Sequence, residues 1–345
     1  MHDLNNVRKT EHIQIINSRE GIDRDKNYFD NIILKHRALP EINLNDIDTG
    51  IEFMRKKLSF PLLISSMTGG DNEMVAKINR NCALAAQETG VAMGVGSQRV
   101  MFSSPGARDS FAIRRYAPNA LLFANLGAVQ LNYGFGLGEC REAVHAVAAD
   151  ALYLHLNPLQ EAIQPEGNVD FSGLAGKIGA IAEQLSCPVI IKEVGAGIAD
   201  DDVELLMQNN IHYIDVAGAG GTSWSLIEEF RSNNNYGLGT QFQDWGIPTP
   251  LALTMLEKFK QRITVIASGG IRSGVDMAKS VILGASLCGI AKPFLKPAME
   301  SAEAVISVIE KLKQEFKVAM FLTGVKNVKS MQNNKKLILK WDEGL

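Results

Sequence analysis

Eight short apolar runs recur along this chain, at residues 61–65, 91–95, 121–125, 151–155, 188–193, 213–217, 264–268 and 286–290, separated by stretches with helical spacing of apolar residues. The runs are rich in Val, Ile and Leu and lack strict apolar-polar alternation, as expected of parallel strands covered on both faces. The helical patterns fall at 72–89, 138–149, 172–185, 201–208, 223–231, 250–260 and 275–283. This alternation continues to eight without an interval long enough for a second domain. It therefore predicts an α/β chain closed into a (β/α)8 TIM barrel, in preference to a doubly wound sheet.

A length of 345 residues suits that barrel with an added arm. Residues 1–60 are polar and charged and fall outside the alternation. They read as an N-terminal arm lying across the barrel mouth or into a neighbour. The barrel is expected over 61–323 and a C-terminal tail over 324–345, with a terminal helix from about 299 to 322 and fraying from 333 onward. The Asn-, Gly- and Gln-rich stretch 233–245 reads as a long loop over the mouth, and such insertions are more often functional than accidental.

Composition excludes several classes. With 46% apolar residues and a net charge of −3, nothing suggests a nucleic-acid surface. Cys82, Cys140, Cys187 and Cys288 lie far apart, without metal-ligand spacing, and read as free thiols in a reducing compartment. The first twenty residues carry many charges and no apolar core of a signal sequence, and no stretch suits a membrane span. A soluble, cytoplasmic protein is expected.

Enzymes with this barrel place their sites at the C-terminal ends of the strands. There the polar residues concentrate. The richest run, His155-Leu156-Asn157-Pro158-Leu159-Gln160-Glu161, contains no Cys or Ser beside a base and no carboxylate pair. Its chemistry is expected to belong to a cofactor, with Gln160 and Glu161 positioning substrate and metal. The seventh and eighth ends read Ser268-Gly269-Gly270-Ile271-Arg272-Ser273-Gly274 and Gly289-Ile290-Ala291-Lys292-Pro293. In such barrels a phosphate sits between these loops, held by backbone N–H groups and a helix N-terminus; the alternative is that Gly-Gly only makes a tight turn. Lys192, inside an apolar run, either pairs with a carboxylate such as Glu193, donates to an electron-rich cofactor ring, or forms a Schiff base.

Several motifs together carry a resemblance: Arg8-Lys9-x-x-His12, Met67-Thr68-Gly69-Gly70, Met93-Gly94-Val95-Gly96-Ser97-Gln98-Arg99, Ala124-Asn125-Leu126-Gly127, the run 155–161, Gln164-Pro165-Glu166-Gly167, Gly220-Gly221-Thr222-Ser223-Trp224, Asp244-Trp245-Gly246-Ile247-Pro248-Thr249 and the loop 268–274. From about Arg8 to Thr323 the chain resembles the type 2 isopentenyl-diphosphate isomerases, FMN-dependent barrel enzymes of isoprenoid synthesis. The resemblance implies interconversion of isopentenyl and dimethylallyl diphosphate with reduced FMN, Mg²⁺ and no net redox change, NADPH being the reductant. It implies that Ser66, Met67, Thr68, Ser97, Asn125, Lys192, Thr222, Gly270, Ile271, Arg272, Ala291 and Lys292 hold FMN. Arg8, Lys9, Ser97, Gln98, Arg99, His155, Asn157 and Gln160 would line the substrate site, with Gln160 and His155 the catalytic pair, and Glu161 would bind Mg²⁺. A homotetramer or homo-octamer is implied as well.

The residue chemistry agrees with these assignments. Neither an amide nor a carboxylate ionised at pH 7 is a competent acid for an unactivated alkene, so Gln160 is an orienting group. Asn157 carries no acid/base duty. Arg8, Lys9 and Arg99 suit a diphosphate. His12 is either a surface residue or part of the site; His2, His36, His145 and His212 are expected outside it, and Glu166 is open. Trp224 and Trp245 are expected in the core or closing the mouth. The competing reading is an FMN barrel oxidoreductase of the 2-hydroxy-acid oxidase type, which usually needs a base such as His where this chain has Thr222-Ser223-Trp224.

Overall fold

Each of the eight expected runs forms a strand, the third continuing beyond residue 125: β1 (Leu62–Ile64), β2 (Ala92–Gly94), β3 (Leu122–Gly127), β4 (Ala151–His155), β5 (Val189–Lys192), β6 (Tyr213–Asp215), β7 (Thr264–Ser268) and β8 (Leu287–Ile290). They come from a computed structural model that describes residues 4–19, 21–67, 69–70, 72–231 and 237–342, with side chains other than those of 4–10 and 105. The strands pair in parallel in chain order, and β8 closes on β1 through Cys288↔Leu62, Gly289↔Leu63 and Ile290↔Ile64. The fold is a closed eight-stranded α/β barrel.

Alternation of side chains along each strand sets what lies inside. Leu63, Ala92, Phe123, Tyr153, Ile190, Ile266 and Leu287 form an interior apolar cluster, with Tyr213 packed against it. Their neighbours Leu62, Leu122, Leu152, Val189, Ile214, Val265 and Cys288 belong to the larger core between strands and helices. Fully burying a large apolar side chain contributes roughly 1.5–3 kcal/mol, so the interior plug is a major stabilising element. The floor is completed by an antiparallel hairpin, Ile51–Phe53 with Lys56–Leu58, whose Phe53 and Leu58 join the plug.

Two residues further along each strand, the inward positions become Ser65, Gly94, Asn125, His155, Lys192, Asp215, Ser268 and Gly289. The apolar plug therefore gives way, at one level, to a ring of polar or small residues at the C-terminal mouth. Register reinforces the ring: His155 pairs with Lys192, and Lys192 with Asp215.

In its described parts the arm packs against this mouth. Its helix Leu4–Ser18 meets the helix Trp224–Arg231 that follows β6, and the next segment is tied down by Arg24 N–H donating to Gly221 O at 2.9 Å and Ser223 N–H donating to Ile22 O at 2.9 Å. The terminal helix runs Ala302–Leu322. The expectation of fraying from 333 onward is corrected for the described residues up to 342: Ile338–Trp341 pairs antiparallel with Ile32–Leu34 of the arm, and Met331 is fully buried. Among the described residues, no helix is long and apolar enough to cross a membrane.

Candidate active site

The polar ring opens into a mouth cavity of about 1310 Å³ including the solvent it meets. Its wall carries Ser66, Met67, Ser97, Asn125, His155, Gln160, Lys192, Thr222, Gly270, Ile271, Arg272, Ala291 and Lys292 from the expected set. Thr68 lies outside the described residues, as do the side chains of Arg8 and Lys9, whose backbone belongs to the arm helix. Gln98, Arg99, Asn157 and Glu161 are not on the wall. Gln98 is turned away altogether: it is fully buried, its amide donating to Ala143 O at 2.9 Å and accepting from Asn125 N at 2.9 Å. It supports β3 from behind.

Lys192 enters the cavity floor from β5, and its counter-ion corrects the sequence reading. Strand alternation sends the adjacent Glu193 to the other face, where one carboxylate oxygen accepts N–H bonds from Val194 and Gly195 at 2.6 Å each and from Ala196. Burial still pushes that carboxyl up to about 7, against the pull of those donors. The partner is Asp215 on β6, fully buried, with an oxygen 3.4 Å from Lys192 Nζ. Lys192 also donates to Ser268 Oγ at 3.1 Å, while Tyr153 and Ser268 donate to Asp215 at 3.0 and 2.5 Å. A buried ammonium is thus held by a carboxylate that is itself satisfied.

At one end of the cavity, the loop after β7 turns through Gly269 (φ +94°) and Gly270 (φ +76°), and a Cβ on either would meet backbone of residues 218–220 at 2.9 Å or less. Glycine is required both by backbone conformation and by the flush packing of the β6 and β7 loops. The following helix Gly274–Ile282 starts with a capping box: Asp276 accepts from Arg272 N at 3.0 Å and Ser273 N at 3.1 Å, and Ser273 Oγ accepts from Asp276 N. Those two N–H groups are therefore already used. An anion here would meet the side chains of Thr222, Arg272 and Lys292 more than the helix terminus.

The opposite wall is built on the run 155–161. His155 Nδ1 lies 2.7 Å from Asn125 Oδ1, and Asn125 donates to Ser66 Oγ at 2.9 Å. Gln160 accepts from Asn157 Nδ2 at 3.1 Å and donates to Glu228 Oε1 at 2.7 Å. Glu161, 5% exposed, accepts from Asn157 Nδ2 (2.9 Å), Gln164 Nε2 (2.7 Å) and Asn168 N (2.6 Å). Asn157 Oδ1 is buried with no hydrogen-bond partner among the described residues.

Glu228 is the main site residue that sequence reasoning missed. It is fully buried, with His12 Nε2 at 3.1 Å and Arg231 Nε at 2.7 Å in addition to Gln160. Arg231 in turn reaches Glu166 at 2.6 Å, and the His12 ring meets Trp224 edge-on at 5.1 Å. The surface reading of His12 is corrected, since it is buried, and His12, Ile13, Ile16 and Trp224 all line the cavity. Trp245 does not: it is 62% exposed and off the wall.

Burial pushes the Glu228 carboxyl up, but His12, Gln160 and Arg231 outweigh it and bring it down to about 2, from an ordinary 4.5. A depressed carboxyl contributes stability that is present above its unfolded value and lost as pH falls toward its folded one. Between about pH 4.5 and 2, wild type should therefore lose of order 3 kcal/mol relative to Glu228→Gln, at about 1.4 kcal/mol per pH unit. Urea-unfolding midpoints of both proteins at stepped pH measure this, and parallel curves across the window would contradict it.

Comparisons with known proteins bear on this geometry. Residues 161–338 match the family model described as FMN-dependent dehydrogenase. The isopentenyl-diphosphate delta-isomerase of Paracoccus zeaxanthinifaciens is 52% identical over 336 residues, covering 96% of this chain and 96% of that one. The protein of the same name from Hydrogenovibrio crunogenus is 50% identical over 334 residues, covering 96% and 97% respectively. A flavocytochrome b2 variant with sulfite bound superposes with a TM-score of 0.69 at 16% identity, covering 97% of this chain and 83% of that one, a likeness of fold alone. The near full-length identity decides the matter: the chain belongs to the isopentenyl-diphosphate delta-isomerase family, built on the barrel of the FMN-dependent dehydrogenases.

Proposed function

We propose that the protein interconverts isopentenyl diphosphate and dimethylallyl diphosphate, with reduced FMN in the barrel mouth and Mg²⁺ on the diphosphate. The observation that carries this reading is how the site's carboxylates are committed. Glu228, Asp215 and Glu161 each accept several hydrogen bonds, and none is a free acid facing the cavity. Bound and reduced, FMN supplies the proton donor and acceptor that an unactivated alkene requires and that an amide or ionised carboxylate lacks.

The residues present fit both groups. For FMN, Ser66, Met67, Ser97, Asn125 and Lys192 line the cavity floor, and Thr222, Gly270, Ile271, Arg272, Ala291 and Lys292 surround its anion-binding end. For Mg²⁺, Glu161 keeps one of about four lone-pair sites, and the orphaned Asn157 Oδ1 of the neighbouring amide would offer a second oxygen. Mg²⁺ commonly takes one or two carboxylates and completes its shell from substrate phosphate and water.

In this reading Gln160 orients the substrate, its amide fixed at one end by Glu228 and at the other by Asn157. His155, steadied by Asn125, presents its ring to the cavity beside it. Lys192, charged and held by Asp215, places positive charge at the floor. The resemblance assigns the diphosphate to Arg8, Lys9 and Arg99; Ser97 is on the wall, and Gln98 supports Asn125 from behind. Ile13, Ile16, Trp224 and Leu295 provide the apolar surface for an isoprenyl chain and exclude water. The 2-hydroxy-acid oxidase alternative is not favoured: after β6 the wall offers Thr222 and Trp224 and no histidine.

The reading extends to NADPH as reductant, to a homotetramer or homo-octamer, to a cytoplasmic location, and to residues 1–60 as an arm contributing to the substrate site. The arm places His12 in the cavity of its own chain. Purified protein should show a flavin spectrum and, once reduced, convert isopentenyl diphosphate in a Mg²⁺-dependent manner. Glu161→Gln should shift the Mg²⁺ concentration for half-maximal rate upward by at least the roughly 10- to 100-fold that loss of an outer-shell partner costs. An unchanged Mg²⁺ profile would remove Glu161 from the metal; absence of flavin or of conversion would overturn the reading.

A further inference from the structure

Three groups at the anion-binding end come from three loops: Thr222 after β6, Arg272 after β7 and Lys292 after β8. What gathers them is a residue of the arm. Asp23 Oδ1 accepts from Thr222 Oγ1 at 2.8 Å, and Asp23 Oδ2 lies 3.2 Å from Arg272 Nη2 and 3.0 Å from Lys292 Nζ. Thr222, Arg272 and Lys292 line the cavity, whereas Asp23 is not among its lining residues. Its backbone is fixed there by a bridge to Thr222 and by the bonds of Ile22 and Arg24 to the β6 loop.

We propose that Asp23 is a positioning residue for the cofactor's phosphate group, holding Thr222, Arg272 and Lys292 together from outside the cavity so that their remaining donors face the anion. The proposal rests on the flavin reading above. Two cations drawn to one carboxylate oxygen repel each other once it is removed. Both side chains are long and about one-third exposed, so they would gain rotamer freedom by turning to solvent. With Asp23 in place, the ammonium spends one of three N–H donors and the guanidinium keeps several, leaving charge-assisted bonds for a phosphate. The arm that carries His12 thereby also supplies Asp23 to the cofactor site.

The test is titration of the flavin-free full-length chain with FMN and with riboflavin, which lacks the phosphate, followed by flavin fluorescence, for wild type, Asp23→Asn and Asp23→Glu. The expected result is an FMN dissociation constant raised roughly 10- to 100-fold by Asp23→Asn, by analogy with the range typical of outer-shell partners of bound metal ions. Riboflavin affinity should be unchanged and Asp23→Glu should restore most of the FMN affinity. Unchanged or tighter FMN binding by Asp23→Asn would overturn the proposal, the tighter case marking Asp23 as a competitor of phosphate. Equal losses for FMN and riboflavin would reduce Asp23 to a fold-holding residue. Wild type binding FMN no better than riboflavin would instead overturn the phosphate-site reading itself, independently of Asp23.

Discussion

Gln160→Ala is expected to lower kcat for isopentenyl diphosphate by roughly 10²-fold or more, while the protein stays yellow and folded. The size follows from the site's construction. Gln160 is the one amide on the cavity wall of the 155–161 run, and it is held at both ends, by Asn157 at 3.1 Å and Glu228 at 2.7 Å. Such a clamp restricts the reacting group to one orientation, and a misplacement of about 1 Å costs about 10²-fold in rate. Removing the amide leaves Glu228 paired with His12 and Arg231, so folding should survive. Single-turnover conversion by reduced enzyme, with flavin absorbance as the control, checks this. A variant with wild-type kcat would show that Gln160 does not orient the substrate, and loss of flavin as well would make its role structural.

Lys192→Met should have the largest effect on stability and should also cost flavin affinity. It strips the counter-ion from Asp215, which is fully buried, and breaking a buried pair from one side typically costs about 3–5 kcal/mol. Tyr153 and Ser268 continue to donate to Asp215, so the lower end of that range is expected. Adding Asp215→Asn removes the stranded charge. The double variant should recover most of the lost stability without recovering flavin affinity, since the ammonium is still absent from the cavity floor. Denaturation midpoints and FMN titrations of the single and double variants separate the two roles. If the double variant also regained flavin affinity, Lys192 would serve only to neutralise Asp215.

The barrel was legible in the sequence because eight apolar runs with polar or Gly-rich ends repeat one local rule. The tight loop after β7 was legible because Gly269-Gly270 and Arg272 sit side by side in sequence, and all three line the cavity. Residues missed or misassigned are those joined across the fold. Glu193 was the obvious partner for Lys192 as its chain neighbour, yet strand alternation turns it to the opposite face. Asp215, an acidic residue inside the apolar run 213–217, carried a usable signal, since two opposite charges in neighbouring buried strands invite each other. Glu228 carried none: a glutamate on an amphipathic helix reads as solvated until His12, from an arm 216 residues away, closes over it. The same holds for Asp23, whose partners Thr222 and Arg272 lie 199 and 249 residues further along. The tail pairing of Ile338–Trp341 with Ile32–Leu34 was hidden likewise, because two short strands from opposite ends of a chain share no local pattern.

The most direct measurement is the stoichiometry of reductant against product. Enzyme reduced once, supplied with Mg²⁺ and excess isopentenyl diphosphate, should yield many equivalents of dimethylallyl diphosphate per flavin while the flavin spectrum stays that of the reduced form and no further NADPH is consumed. Consumption of one NADPH per product formed would contradict isomerisation and place the protein among the oxidoreductases that share its barrel.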